Sequence, residues 1–171
     1  ECMNHEGIQG ALVSHGSSTV SQYIVNEINA LGGNIQNAYG ISKEELKAAI
    51  PCGIGKINVD TDIRLAVTRN FRELFRDHPE LKDDPKAGGV WKLLDEKRDA
   101  FDPRAFLAPI MDTVMYGAGD EGAVARITDA MRRGVKEAVG TLIVEFGSYG
   151  KAPLVEPATL EDMAARYAKE G

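Results

Sequence analysis

Ala11–Ser18, ALVSHGSS, climbs through three apolar residues to a serine and a histidine, then a glycine and two hydroxyls. Residues 11–14 predict a short buried strand that ends at His15. After it, Thr19–Leu31 sets Val20, Tyr23, Ile24, Ile28 and Leu31 at helical spacing, and Gly32-Gly33 supplies the stop. A second passage of the same kind lies at Gly55–Asp62, GKINVDTD, where β-branched Ile57 and Val59 sit between Gly55 and the polar cluster Asp60-Thr61-Asp62. It feeds a helix over Ile63–Phe75, with Ile63, Ala66, Val67, Phe71, Leu74 and Phe75 on or near one face and Arg64, Arg69, Arg72 and Arg76 outside it. Between the two passages, ISKEELKAAI opens with Ser42 and carries Glu45 three places on, the pair in which each side chain satisfies the other's free amide at a helix start. Pro51 and Gly53 close that helix. The order βα(α)βα points to parallel α/β architecture.

The rest of the chain is less regular. His78–Asp99 shifts to Asp, Lys, Gly and Pro and predicts a surface excursion with one short helix around Trp91–Leu94. Residues 102–115 and 123–145 read as helical, separated by the Gly-rich YGAGDEGA, and the tail reads as a Gly/Pro loop followed by a last helix from Leu160.

Composition narrows the function. With 171 residues, 43% of them hydrophobic and 27% charged, a packed core is expected. No apolar run reaches the roughly 18 residues of a membrane span. The opening ECMNHEGIQG has neither a secretory pattern nor an initiating methionine, so the expectation is a chain that begins inside a longer polypeptide. A net charge of -6 speaks against a nucleic-acid footprint, which needs concentrated Lys and Arg. Cys2 and Cys52 lie far apart without metal or redox spacing, which fits inert thiols in a reducing cytoplasm.

In parallel α/β folds ligands bind at the carboxyl ends of strands, where loops and helix N-termini converge. His15 ends one strand, and the small residues Gly16-Ser17-Ser18 let amides and hydroxyls surround an anion at the next helix start. Asn58, Asp60 and Thr61 end the other. A neutral imidazole there can ligate a divalent metal, while Asn58 and Asp60 can bond hydroxyls or an enolate oxygen. Alone, His-Gly is more often a turn and Asp-Thr-Asp more often a helix cap, so the pair of strand ends carries the reading. Gly117–Gly122 matches G-x-G-x-x-G, but a helical run precedes it and Asp120-Glu121 would place two carboxylates against a pyrophosphate, so it reads as a loop.

HGSS (15–18), NAYGISKEELKAAIPCGIGKINVDTDIRLA (37–66), FDPRAFL (101–107) and FGSYGKAPLVEPATLEDMAARY (146–167) together resemble the carboxyl-terminal half of class II fructose-1,6-bisphosphate aldolases. The nearest likeness is to the subgroup of many bacteria, including those with a Calvin cycle. The resemblance implies an α/β chain that forms the last two β/α units of a (β/α)8 TIM barrel plus a helical C-terminal extension. Residues 1–78 would be the barrel part, and 79–171 a helical extension and arm that makes an oligomer contact.

The implied activity is zinc-dependent, reversible cleavage of fructose 1,6-bisphosphate to dihydroxyacetone phosphate and glyceraldehyde 3-phosphate, in glycolysis and gluconeogenesis, by a cytoplasmic homodimer or homotetramer. His15 would be one of three histidines on zinc or another divalent metal. Gly16, Ser17 and Ser18, with Val59, Asp60 and Thr61, would hold the ketose phosphate, with a monovalent cation near that site. Asn58 would be catalytic and steady the enediolate, and Arg104 would reach the distal phosphate across a subunit boundary. The metal acts as a Lewis acid where the other aldolase class uses a Schiff-base lysine.

His5 and His78 match neither of the family's other histidine ligands, which lie on earlier strands together with the catalytic aspartate. A whole barrel takes roughly 250 residues, so part of a larger enzyme is expected, with sheet edges left unpaired. The segment 112–145 is longer than the helix the resemblance leads one to expect there. A tagatose- or sedoheptulose-bisphosphate aldolase and a non-catalytic phosphate-binding α/β subunit are the rival readings.

Overall fold

The computed structural model describes residues 10–170; Cys2 and His5 lie outside them. In chain order the elements are β1 (Leu12–Ser14), α1 (Gln22–Ala30), α2 (Lys43–Ala49), β2 (Ile54–Ile57), α3 (Thr61–Asp77), α4 (Ala87–Glu96), α5 (Met111–Tyr116), α6 (Gly122–Glu145) and α7 (Leu160–Glu170). Short 3-10 turns join them, at Pro103–Ala105 and Ala108–Ile110 among others. The fold is α/β, mostly helical with a small parallel sheet. β1 pairs with β2 in parallel, Leu12 opposite Ile54 and Ser14 opposite Ile57, with an irregularity after Leu12. Because α1 and α2 lie between the two strands, the expected βα(α)βα order stands.

Local signals place α2 well. Ser42 accepts from the Glu45 amide while the Glu45 carboxylate accepts from the Ser42 amide, so the capping box is complete. Several other expectations need correction. β1 is not a buried strand: Leu12 is 41% and Val13 46% exposed, because among the described residues only β2 lies against it. Helix α1 starts at Gln22 rather than Thr19, since Thr19 is tied to Asp62 and Val20 takes a left-handed φ of 49°, strained for a β-branched residue. Tyr23, placed on the apolar face by spacing, is exposed.

Nor is His78–Asp99 a surface excursion, and residues 102–115 are not one helix but two 3-10 turns followed by the short α5. Leu81, Ala87, Val90, Leu94, Phe106 and Ile110 are buried in one cluster with Val67, Phe71, Leu74 and Phe75 of α3. The Phe71 and Phe106 rings meet edge to face at 6.2 Å, and Phe75 packs on Trp91 at 5.5 Å, with Lys82 capping the indole. That packing also buries Arg72 to 1% exposure, contrary to its expected outward position; it donates to the Leu94 carbonyl at 2.9 Å. Helix α6 crosses α3 closely, because Gly134 has no side chain: a Cβ there would lie 2.7 Å from the Val67 Cα. The Gly117–Gly122 stretch is the turn between α5 and α6, and α7 begins at Leu160, both as expected.

A smaller cluster of Val20, Ile24, Val25, Ile28, Ile35 and Leu65 fastens α1 to α3. The two clusters together hold the carboxyl end of β1, the carboxyl end of β2 and the start of α3 side by side.

Candidate functional site

Both strand ends open into one cleft lined by Gly16, Ser18, Ile57, Asn58, Val59, Asp60 and Thr61. Parallel pairing produces this directly, because it brings the two carboxyl ends to the same edge. The backbone continues the pairing past the strands: the Asn58 amide donates to the Ser14 carbonyl at 2.9 Å and the Ser17 amide to the Asn58 carbonyl at 3.2 Å.

Four cross-links then fix the two loops. Ser18 Oγ accepts from the Asp60 amide at 3.2 Å and the Thr61 amide at 3.0 Å, so it occupies the N-terminus of α3. A hydroxyl that accepts twice still has its proton to donate. Asp62, 5% exposed, accepts from the Thr19 amide and the Thr19 hydroxyl, each at 2.7 Å. Behind the loop, the Ile41 amide donates to the Ser18 carbonyl, and Gly40 lies so close that a Cβ would stand 2.1 Å from that oxygen.

His15 is exposed at the rim, and Asn58 Nδ2 donates to its Nδ1 at 2.9 Å. With that contact Nδ1 is the acceptor and the ring proton sits on Nε2. Turning the Asn58 amide so that Oδ1 faces Nδ1–H frees Nε2 for a metal. The contact therefore couples the tautomer of His15 to the orientation of the Asn58 amide.

The carboxylate of Asp60 does not cap α3. It is held by Arg64, through Nε at 2.8 Å and a second bond from Nη2, and Arg64 Nη1 donates to Asp102 at 2.7 Å. Arg104 chelates the same Asp102 and also receives it at its own backbone amide. The side-chain bond from Arg104, with its amide and the charges of Arg64 and Arg104 behind it, lowers the Asp102 carboxyl to about 2, and the same pairing raises the Arg104 guanidinium. Alternating charges thus run Asp60, Arg64, Asp102, Arg104. They leave the cleft mouth near neutral, so a phosphate meets less repulsion from Asp60 than an unpaired carboxylate would give.

Of the residues singled out from sequence, Gly16, Ser18, Asn58, Val59, Asp60 and Thr61 meet at the cleft, and His15 stands beside it. Ser17 is fully buried with its hydroxyl against that of Ser14, and Arg104 sits outside the lining, joined through Asp102 and Arg64. Sequence reasoning missed Asp62, Thr19 and Arg64 as parts of the site. The i,i+4 spacing of Asp60 and Arg64 was the one local signal for any of them.

A smaller, more enclosed pocket lies behind the loop, between α1, α3 and α6; Asp62, Arg69 and Glu137 line it and are engaged with neighbours. Among the described residues no group of three or more His, Cys, Asp or Glu side chains converges as a metal site. These residues therefore do not by themselves make up a metal centre; His15 offers a single donor. No helix among them is long and apolar enough to cross a membrane.

The family model for class II fructose-bisphosphate aldolase matches residues 3–151. The chain belongs to the class II fructose-bisphosphate aldolases. It is 34% identical over 158 residues to the fructose-bisphosphate aldolase class 2 of Synechocystis sp., covering 92% of this chain and 33% of that protein. Similar figures hold for the aldolase of Xanthobacter flavus, 34% over 157 residues with 33% of that protein covered. The plasmid-borne aldolase of Cupriavidus necator is 32% identical over 164 residues, 95% of this chain and 36% of its own length. The chain thus spans about a third of the length of the aldolases it matches. Both passages that form the cleft fall inside the aldolase family match.

Proposed function

We propose that this chain carries the phosphate-binding end and one metal donor of an enzyme that reversibly cleaves fructose 1,6-bisphosphate to dihydroxyacetone phosphate and glyceraldehyde 3-phosphate. The observation that carries the reading is the meeting of His15, Ser18, Asn58 and Asp60 at adjoining strand ends, in a chain of the class II aldolase family. In this reading β1–α1 and β2–α3 are the last two units of a (β/α)8 barrel. Residues 79–171 are the helical extension and oligomer contact of a cytoplasmic homodimer or homotetramer.

The chain's own residues divide the work. Ser18 donates its hydroxyl to a phosphate oxygen, and the amides and turn at Gly16 let that phosphate approach the backbone. Ser17 supports the loop from beneath, and Val59 and Thr61 wall the same subsite, with a monovalent cation beside it. Asp60, held by Arg64, accepts from a sugar hydroxyl. Asn58 bonds a substrate oxygen while it orients His15. Arg104 serves the distal phosphate of a neighbouring subunit. The divalent metal, zinc or a relative, supplies Lewis acidity when bound, and its remaining donors come from outside the described residues.

The test uses the full-length protein. His15→Ala should lower bound metal, read by elemental analysis, and reduce cleavage by on the order of 100-fold. Ser18→Ala should raise KM for the bisphosphate about tenfold with a smaller change in kcat, as for one lost bond to a charged acceptor. Unchanged metal content and unchanged cleavage in His15→Ala would overturn the metal assignment, and an unchanged KM in Ser18→Ala the phosphate assignment.

A further inference from the structure

An aspartate at the residue before a helix ordinarily turns its carboxylate onto the second or third amide of that helix, where the positive end of the dipole holds it. Asp60 stands at that position before α3, yet its side chain makes no cap bond. The amides of Asp60 and Thr61 go to Ser18 Oγ instead, and the Ile63 amide goes to the Asp60 carbonyl at 3.0 Å. The carboxylate is swung the other way. Arg64, one turn on, takes Oδ1 through Nε at 2.8 Å and Oδ2 through Nη2. In that two-pronged geometry a planar guanidinium fixes the orientation of a carboxylate as well as its position.

Arg64 is itself held from behind. Its Nη1 donates to Asp102 at 2.7 Å, and Asp102 lies on a turn fastened to the body at both ends. On one side Thr68, fully buried, donates to the Phe101 carbonyl at 2.9 Å; on the other Phe106 is buried in the larger core cluster. The guanidinium is thus tied on two sides. Asp60, whose side chain is 68% exposed where it lines the cleft, gains an orientation that its exposure alone would not give. A carboxylate gripped along one edge still has lone pairs to offer on the other.

We propose that Arg64 is a positioning residue of the cleft: it keeps the Asp60 carboxylate off the cap of α3 and presents its remaining lone pairs to the substrate. The proposal rests on the reading of Asp60 as the acceptor of a sugar hydroxyl, and deepens it. Without the fork, the carboxylate falls back on α3 and caps the Asp62 amide, the second of that helix. A new cap then offsets the lost ion pair. Removing Arg64 therefore costs substrate binding and leaves stability nearly untouched, the reverse of what a purely structural residue would do.

The experiment takes the full-length enzyme. Arg64→Met keeps the apolar stem and should raise KM for fructose 1,6-bisphosphate about tenfold, with kcat within about twofold of the parent. Its melting temperature should stay within about 2 °C of the parent. Arg64→Lys keeps the charge without the fork, and should recover only part of the loss in KM. Asp60→Asn is the reference variant. A raised KM in Asp60→Asn beside a parent-like KM in Arg64→Met would overturn the positioning role and leave the Asp60 reading standing. A parent-like KM in Asp60→Asn would overturn that reading and the proposal with it. Full recovery in Arg64→Lys would reduce Arg64 to its charge, and a large fall in the melting temperature of Arg64→Met would reduce it to a strut; either overturns the proposal.

Discussion

Asp62 is the residue whose removal should cost the site most for its size. Its carboxylate, 5% exposed, accepts two short bonds from Thr19, one from the amide and one from the hydroxyl. Hydrogen bonds to a charged acceptor contribute about 1.5–3 kcal/mol each, and leaving buried donors unpaired adds to the loss. Thr19 is only partly buried, so water recovers some of it. For Asp62→Ala the expected destabilisation is about 2–4 kcal/mol, and for Asp62→Asn, which keeps one acceptor, about 1–2 kcal/mol.

Urea denaturation of the full-length protein measures these values. Thr19→Val deletes one of the two bonds, so the double variant with Asp62→Asn should show a coupling of about 1 kcal/mol. The same loosening frees the loop that carries Ser18, so KM should rise in step with the lost stability. Full additivity in the cycle, or an Asp62→Ala protein as stable as the parent, would refute the clamp.

Two further predictions concern packing and acid. Gly134→Ala forces a Cβ into the Val67 backbone; overpacking of about 1–3 kcal/mol outweighs a helix gain of about 1 kcal/mol, and the melting temperature should fall by a few degrees. Gly140→Ala on the same helix meets nothing within 4 Å and should stabilise instead. In an acid titration, Asp102 has its carboxyl lowered from 3.8 to about 2, so its contribution is present above the ordinary value and is lost as pH falls through the lowered one. Asp102→Asn should flatten the loss of stability between roughly pH 4 and pH 2, and an unaltered acid limb would show that the network with Arg64 and Arg104 adds nothing to folding.

What the sequence determined by itself was whatever is coded over a few neighbouring residues. The capping box at Ser42 and Glu45, the amphipathic period of α3, the loop at Gly117–Gly122 and the polar ends at HGSS and NVDTD all depend on spacings shorter than one or two helical turns. These were enough to put Gly16, Ser18, Asn58, Asp60 and Thr61 at the carboxyl ends of the two strands.

Tertiary structure decided how those loops are held. Thr19 and Asp62 are 43 positions apart, as are His15 and Asn58, and their pairing follows from the parallel register of β1 and β2, which no local pattern states. It also decided burial where composition misleads. The polar, glycine-bearing run after His78 joins the core because Val90 and Leu94 of α4 are buried in the same cluster as Phe71 and Phe75. Arg72 goes under with it, and Leu12 and Val13 stay exposed. A residue's periodicity says which way it faces on its own element, whereas burial depends on what the rest of the chain brings against that face.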